Sequence, residues 1–313
     1  MRWIAVALIA ACGHSPAGSV DATGGDDDAS VHDDSGSVAI CGSDQWCVEA
    51  APANTTFLHG VFAISAGDVL AVGDTGTILR RDATSWTAMT SSTTQNLRGV
   101  WAASATDAWA VGAAATLVHF DGSSWTTVAV PALLGADLSA VWGSSGSDVW
   151  AVGEQTVAHY DGKTWTKTSL VGDHNGVSGT GPLDVWVVGE NEKPQHFDGS
   201  WHVVDANVGT LFFTVFALSA TNVWATDPTP SKETVIWGGS SWAPQAAGAI
   251  FQGLWGTSGT DLWGVGGTQA GHWTGAAWSL EAPAGNTASL FGISGAGGHV
   301  YAVGDNALIL HRD

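Results

Sequence analysis

The sequence predicts an all-β fold of seven four-stranded antiparallel units arranged in a ring, and three observations predict it. A six-residue segment recurs seven times, at intervals of 36 to 41 residues. A tryptophan-led segment also occurs seven times, out of phase with the first. Asp-Gly and Ser/Gly turns separate short apolar runs, and no stretch shows helical periodicity. Units of about 40 residues with four short strands are typical of the blades of a β-propeller.

The first repeated segment supplies the second strand of each blade. Because blades pack against neighbours on both faces, we expect this strand to be apolar almost throughout, with Trp150 and its equivalents filling the gap between blades. The copies are DVLAVG (68–73), DAWAVG (107–112), DVWAVG (148–153), DVWVVG (184–189), NVWATD (222–227), DLWGVG (261–266) and HVYAVG (299–304).

The tryptophan-led segment supplies the outermost strand, where we expect its tryptophans to cover the outer rim. Its copies begin at Trp46, Trp86, Trp125, Trp165, Trp201, Trp242 and Trp278. The first copy precedes the first blade, and no copy follows the last blade, which ends LILHRD. We therefore predict that residues 44–50 pair beside residues 307–313, so that an N-terminal strand completes the seventh blade and leaves no free edge. The propeller is predicted to span residues 41–313.

The N-terminal residues resemble an export signal. Arg2 precedes the apolar run WIAVALIAA (3–11), which is too short to span a membrane. The run ends at Cys12 in a sequence similar to a bacterial lipobox, so residues 1–11 are predicted to be a lipoprotein-type signal peptide and Cys12 the lipidated residue. An ordinary cleaved signal peptide is the alternative. We expect an exported, lipid-anchored chain at the bacterial cell envelope or surface, in the outer membrane.

Residues 12–40 are predicted to form an acidic disordered tether, because they are polar, rich in Gly and Ser, and carry six Asp between positions 21 and 34. Their spacing differs from that of a calcium-binding loop, and weak calcium binding is the alternative. In an oxidising compartment we expect Cys41 and Cys47 to form a disulfide, with two free thiols as the alternative.

The charge of the chain restricts its partners. The formal net charge is −20, with 9 Lys+Arg against 29 Asp+Glu. An acidic surface repels phosphate groups, so nucleic acid is excluded as an expected partner, and membrane contact is expected through the lipid anchor alone.

Three hairpins carry a family resemblance. FDGSSWTTV (120–128), YDGKTWTKT (160–168) and FDGSWHVV (197–204) resemble the hairpins of bacterial Asp-box (BNR-like) propellers, a group that includes sialidases and many exported repeat proteins. In this chain the Asp and Gly are adjacent, which departs from the usual box. For a sialidase-like enzyme the resemblance implies an arginine triad and a tyrosine nucleophile. The predicted propeller contains Arg80, Arg81, Arg98 and Arg312, and three of these fall in third strands away from the centre.

The residues repeated in every blade are expected to be structural, because one active site needs only one copy. Five blades have a histidine at one position of the third strand: His119, His159, His196, His272 and His311. We expect these histidines to make hydrogen bonds to neighbouring strands, and the aspartates that begin the second strands to cap the preceding turn. No catalytic residue, metal site or cofactor is predicted.

The loops between second and third strands, and between consecutive blades, differ in every unit and lie on one face, which we call the variable face. Specificity on a rigid scaffold usually resides in such loops. The predicted ligand-binding residues are Asp173, His174, Asn175, Glu190, Glu192, Lys193, Asp227 and Lys232. Solvated loop residues without a ligand are the alternative.

These observations predict a non-catalytic binding or scaffold module whose partners are proteins. A carbohydrate-binding propeller is the alternative, and it would need exposed aromatic side chains on the variable face, for which Phe212, Phe213 and Phe251 are candidates. A glycoside hydrolase is less favoured, since acids are plentiful but their spacing selects no pair.

Overall fold

The computed structural model describes residues 29–32, 38–41, 46–168, 170, 172–204, 209–228, 233–283 and 286–313. It confirms the seven-bladed β-propeller: seven antiparallel sheets follow one another around a ring, and each has four blade strands. We letter these strands a to d from the axis outward. In the described part of the chain, no helix combines the length and the apolar character needed to cross a membrane.

The bounds of the first three blades follow the sequence repeat. Before them lie β1 (Ala29–His32), β2 (Val38–Cys41) and β3 (Cys47–Val48). Blade 1 contains β4 (Leu58–Ser65), β5 (Asp68–Gly73), β6 (Ile78–Asp82) and β7 (Trp86–Met89). Blade 2 contains β8 (Leu97–Ser104), β9 (Asp107–Gly112), β10 (Thr116–Phe120) and β11 (Trp125–Thr127). Blade 3 contains β12 (Leu138–Ser145), β13 (Asp148–Gly153), β14 (Thr156–Tyr160) and β15 (Trp165–Thr168).

The later blades repeat this order. Blade 4 contains β16 (Asp173–Gly181), β17 (Asp184–Glu190), β18 (Gln195–Phe197) and β19 (Trp201–Val203). Blade 5 contains β20 (Val215–Ser219), β21 (Asn222–Asp227), β22 (Glu233–Trp237) and β23 (Trp242–Ala246). Blade 6 contains β24 (Gly253–Ser258), β25 (Asp261–Gly266), β26 (Gln269–Trp273) and β27 (Trp278–Glu281). Blade 7 contains β28 (Leu290–Ala296), β29 (His299–Gly304), β30 (Ile309–Arg312) and β3. Short 3₁₀ turns lie at Asp74–Gly76, Pro131–Leu133 and Asp305–Ala307.

The ring closes as the sequence predicts. β3 pairs antiparallel with β30, placing Cys47 opposite His311 and Val48 opposite Leu310. The sheet then continues outward through β2 and β1, so it has six strands rather than four. Residues 29–32 and 38–40, which the sequence assigned to the disordered tether, are therefore strands. The predicted signal peptide, Cys12 and the rest of the predicted tether lie outside the described residues.

The cysteine geometry agrees with the prediction at the backbone level. Cys41 lies directly opposite Cys47 in the β2–β3 pair. Cys47 is disulfide-bonded. The side chain of Cys41 lies outside the described part of the chain, so its identity as the partner stays a prediction.

The tryptophans hold adjacent blades together. Strand b is buried at every position after its first residue, apart from the exposed Glu190 that ends β17, and this explains its nearly continuous apolar sequence. In blades 2 to 7 its aromatic residue packs edge-on against the tryptophan of strand d in the next blade. The tryptophans of strand d therefore lie between adjacent blades and do not cover the outer rim, which is where the sequence had led us to expect them. The edge-on pairs are Trp109–Trp165, Trp150–Trp201, Trp186–Trp242, Trp224–Trp278, Trp263–Trp46 and Tyr301–Trp86, with interplanar angles of 77–88°.

The repeated aspartates and histidines join three strands of one blade. In blade 3, Nε2 of His159 lies 2.6 Å from Oδ1 of Asp148, and Ser144 of strand a donates to the other oxygen of Asp148 at 2.5 Å. The imidazole also stacks on Trp150, with ring centroids 4.0 Å apart. The structural role predicted for both residue types is confirmed. The same His–Asp contact occurs at 2.8 Å in blades 2, 4 and 6, in the pairs His119–Asp107, His196–Asp184 and His272–Asp261.

Candidate functional site

A channel runs along the axis of the ring, between the a strands. The residue that faces its narrowest part is small in every blade, because neighbouring a strands approach closely there. A Cβ on Gly60, for example, would lie 2.8 Å from the carbonyl oxygen of Arg98 in the next blade. The channel contains a cavity of about 220 Å³. These small residues are Gly60, Gly99, Ala140, Gly176, Thr214, Gly253 and Gly292.

One residue earlier in each a strand, at the variable face, the chain presents a different side chain from almost every blade. We call this set the mouth ring: His59, Arg98, Ser139, Asn175, Phe213, Gln252 and Phe291. Five of its members, together with Glu190, line a second cavity of about 320 Å³ at the channel entrance. The mouth ring combines aromatic, amide, hydroxyl and cationic groups at one repeated backbone position.

The two basic residues of the mouth ring, His59 and Arg98, are each fixed by a loop carboxylate. Nε2 of His59 lies 2.8 Å from Oδ1 of Asp74, in the loop that follows strand b of the same blade. Arg98 donates to Oδ2 of Asp137 at 2.7 Å, and the backbone N–H of Ala114 donates to the other oxygen at 2.9 Å. The hydrogen bond from Ala114, aided by Arg98, holds the pKa of Asp137 below its usual value. The side chains of His59 and Arg98 are therefore both held in place before any ligand binds.

Apolar groups accompany these polar ones on the variable face. Phe213 and Phe291 are half-buried in the mouth ring, and the ring of Phe291 lies 5.8 Å from that of His59. In the loops between blades, Phe57, Leu134 and Ile250 are exposed by 41%, 81% and 37%. The variable face therefore presents apolar as well as polar side chains.

Three exposed acids lie side by side on the same face, near the channel entrance. Asp173 pairs with Glu190 in the β16–β17 register, and its backbone forms a bridge with Glu154 of blade 3. All three residues are exposed. Their combined charge favours a basic group near this part of the face.

Of the ligand-binding residues predicted from the sequence, the structure leaves some accessible and buries others. Asp173 and Glu190 are exposed on the variable face, and Asn175 belongs to the mouth ring, where it donates to the carbonyl of Phe212 at 2.9 Å. Lys193 is half-buried, and Lys232 lies outside the described residues.

The other three predicted residues are buried, which corrects the sequence-based expectation. His174, Glu192 and Asp227 are exposed by only 1%, 8% and 8%. Nδ1 of His174 lies against Oε1 of Glu192, and Gln195 donates to Oε2 of Glu192 at 2.6 Å. His174 and Glu192 lie inside blade 4, and Asp227 is the buried last residue of strand b of blade 5, so we remove all three from the candidate site.

The sequence analysis missed most of the mouth ring. Of its seven members it singled out Asn175 as a binding residue and Phe213 as an aromatic candidate. One signal in the sequence could have identified the mouth ring. Each of its members directly precedes the small residue of strand a, and this position changes from blade to blade while its neighbours repeat. Phe212 and Phe251, the other two aromatic candidates, are fully buried.

Comparisons with known proteins show the fold alone. No protein-family model and no curated protein sequence matches the chain. A solved structure described as YCF48 bound to D1 peptide is similar, with a TM-score of 0.71 and 13% identity, covering 94% of this chain and 99% of that one.

Two further solved structures are similar at low identity. The WD40 β-propeller domain of Doa1 has a TM-score of 0.69 and 9% identity, covering 85% of this chain and 95% of that one. Virginiamycin B lyase from Staphylococcus aureus has a TM-score of 0.73 and 11% identity, covering 85% and 98%. The chain therefore shares a seven-bladed propeller fold with proteins of different activities.

Proposed function

We propose that this chain is a non-catalytic binding propeller whose mouth ring and surrounding loops bind a segment of a partner protein. The observation that carries the proposal is the mouth ring itself. A rigid, repeated backbone position displays different side chains from blade to blade, whereas the structural positions around it stay nearly constant. Such variation on a fixed scaffold is the usual arrangement for specific recognition.

The chemistry of the entrance suits a polypeptide. The amides of Asn175 and Gln252 offer donors and acceptors for a peptide backbone, and Phe213 and Phe291 offer apolar contacts for its side chains. The exposed Phe57, Leu134 and Ile250 extend the apolar surface beyond the entrance. YCF48, which shares this fold, has been solved bound to a peptide.

The charge of the face selects a basic segment. The whole chain carries a net charge of −20, and Glu154, Asp173 and Glu190 are exposed beside one another on the variable face, near the entrance. Opposite charges raise the rate of encounter and favour the correct partner over acidic competitors.

The entrance is poorly suited to glycoside hydrolysis. That reaction ordinarily requires two carboxyl groups on either side of the scissile bond. Among the described residues, Glu190 is the sole carboxylate that lines the entrance cavity, while Asp74 and Asp137 are engaged with His59 and Arg98. The single arginine of the mouth ring also falls short of the arginine triad of a sialidase.

The proposed location follows from the N-terminal sequence. Residues 1–11 as a signal peptide and Cys12 as a lipidated residue would place the propeller at the bacterial cell envelope, in the outer membrane. There the partner would be another envelope protein, and Cys41 would pair with Cys47 in an oxidising environment. Metabolic labelling with an alkynyl fatty acid, compared with a Cys12→Ser variant, tests the anchor.

Site-specific photo-crosslinking in intact cells tests the binding face. A photoreactive phenylalanine analogue replaces Phe291 in the mouth ring, and in a matched control it replaces Leu183, which is 62% exposed in an a–b turn on the opposite face. We expect one protein to be captured from position 291 and not from position 183. We further expect Phe213→Ala to reduce its capture. Equal capture from both positions would contradict the proposal.

A glycan array, probed with residues 41–313 with and without calcium, tests the carbohydrate alternative. We expect no specific binding. A saturable signal that is lost in Phe213→Ala and Gln252→Ala would instead identify a lectin. Turnover of any bound glycan would identify a hydrolase and overturn the non-catalytic assignment.

A further inference from the structure

Blade 7 departs from the repeat at the first residue of strand b. Five other blades have Asp at this position and blade 5 has Asn222, but blade 7 has His299. In the shared register, this residue lies close to the histidine of strand c. Two imidazoles therefore meet in blade 7, with Nδ1 of His299 lying 2.9 Å from Nε2 of His311.

A carboxylate completes the cluster. Oδ1 of Asp313 lies 2.6 Å from Nδ1 of His299 and 3.0 Å from Nε2 of His311. The three atoms thus surround a common point. Two nitrogens and an oxygen bound to one ion at about 2.0–2.1 Å are separated from each other by about 3 Å. In the described part of the chain, this is the one such group of three side chains.

The residues around His311 fix the orientation of its ring. Its Nδ1 lies 3.2 Å from Oε1 of Glu49, so Nε2 faces the cluster. Glu49 is held in turn by Arg81, with Nη2 2.9 Å from Oε1, and by the indole N–H of Trp86 at 2.5 Å. The imidazole also stacks on Tyr301, with ring centroids 4.4 Å apart. A carboxylate that orients a histidine in this way is the usual second layer of a metal site.

We propose that His299 Nδ1, His311 Nε2 and Asp313 Oδ1 bind one divalent transition-metal ion of the Zn²⁺ type. Two imidazole nitrogens favour such an ion over calcium or magnesium, which prefer all-oxygen ligands. A fourth position remains for water or another ligand, because the side chains of His299 and Asp313 are 27% and 18% exposed. The ion would join strands b and c of blade 7 and, through Glu49, the strand that closes the ring.

A proton can hold the same groups together in the absence of an ion. Burial lowers the pKa of His311, but hydrogen bonds with Asp313 and Glu49 outweigh this effect and raise the pKa above its usual value. The experiment must distinguish an ion from this protonated hydrogen-bond network.

Titration of the metal-stripped full chain with Zn²⁺, followed by calorimetry, tests the proposal. The variants are His299→Asn and Asp313→Asn, and the first has a precedent because blade 5 folds with Asn222 at the same position. The matched control is His272→Asn, which changes the strand-c histidine of blade 6, where Asp261 takes the place of a second imidazole. Circular dichroism establishes that each variant is folded.

We expect the wild type and His272→Asn to bind one equivalent of Zn²⁺ that both His299→Asn and Asp313→Asn lose. Zn²⁺ should also raise the melting temperature of the wild type and of His272→Asn. It should leave the melting temperatures of His299→Asn and Asp313→Asn unchanged. Equal uptake by wild type and His299→Asn would overturn the proposal and leave the protonated network as the explanation. Loss of uptake in His272→Asn would overturn it as well.

Discussion

A single carboxylate in most blades connects the turn, the inner strand and the third strand. Asp148 accepts hydrogen bonds from Ser144 and His159 while its side chain is only 15% exposed. When such a carboxylate is removed, the side chain that donated to it becomes a partly buried donor without an acceptor. This costs more free energy than the hydrogen bond itself contributes. Repetition in this chain therefore marks residues that hold a blade together.

We predict that Asp148→Ala lowers the free energy of unfolding by about 1–3 kcal/mol, because His159 and Ser144 lose their acceptor. Urea unfolding measures the loss. The matched control is His202→Ala, which breaks the His202–Asp198 pair in which both side chains are 54% exposed. Solvent screens that pair, so its loss should cost at most about 1 kcal/mol. Equal losses in the two variants would contradict the structural role of the repeated aspartates.

The sequence could predict the role of these repeated residues, but it could not predict the burial of His174. At that position the other blades have Leu or Phe, and the polar residue suggested an exposed loop. His174 is buried because Glu192 and Gln195 lie beside it, and this depends on how the b–c loop folds back. A contact between separate segments is invisible to local periodicity.

At the scale of strands, the edge-on aromatic pairs set the spacing between blades. Each strand-b aromatic residue contacts both strand c and strand d of the next blade. The ring centroid of Trp150, for example, lies 5.0 Å from that of Phe197 and 5.5 Å from that of Trp201. Edge-to-face packing of this kind stabilises the fold by more than the burial of the ring area alone would. Loss of one tryptophan therefore weakens the contact between two blades.

We predict that Trp150→Ala lowers the free energy of unfolding by about 3–5 kcal/mol, since Trp150 is 3% exposed and its removal leaves a cavity between blades 3 and 4. Val203→Ala, in strand d of blade 4, is the control, because Val203 is 65% exposed. Val203→Ala should change the free energy of unfolding by no more than about 0.5 kcal/mol. Comparable urea midpoints for the two variants would show that Trp150 does not hold the blades together.

The strand pattern was largely predictable, and the mouth ring was not. Regular spacing of DVWAVG-like segments determines where each strand b lies, and the out-of-phase tryptophans reveal how the ring closes. The position of Phe291 or Gln252 at the channel entrance depends on the tilt of strand a and on the closeness of the a strands. Those quantities come from the packing of all seven blades, which no single segment encodes.

At the scale of the whole molecule, β3 completes blade 7 by covering the outer edge of β30. Without it, the edge of β30 would be open, and Trp46, which is 1% exposed, would no longer pack against Trp263. Open strand edges pair readily with other chains. Ring closure therefore contributes to stability and protects the edge of β30 from pairing with other chains.

We predict that a chain beginning at Ala51 loses at least about 3–5 kcal/mol of stability, through the loss of buried Trp46 alone, and that it self-associates at high concentration. The control begins at Val38 and retains β2 and β3. Thermal unfolding and size-exclusion chromatography compare the two chains. Identical melting temperatures and elution volumes would show that closure of the ring by β3 is dispensable.

Because Cys47 and Val48 pair with His311 and Leu310, the segment that completes the ring is synthesised before blades 1 to 6 and cannot dock until β30 has been made. Bringing such distant segments together carries a large loss of chain entropy. Until β3 docks, the outer edge of β30 has no partner strand, and an open edge of this kind makes the newly made chain vulnerable to aggregation.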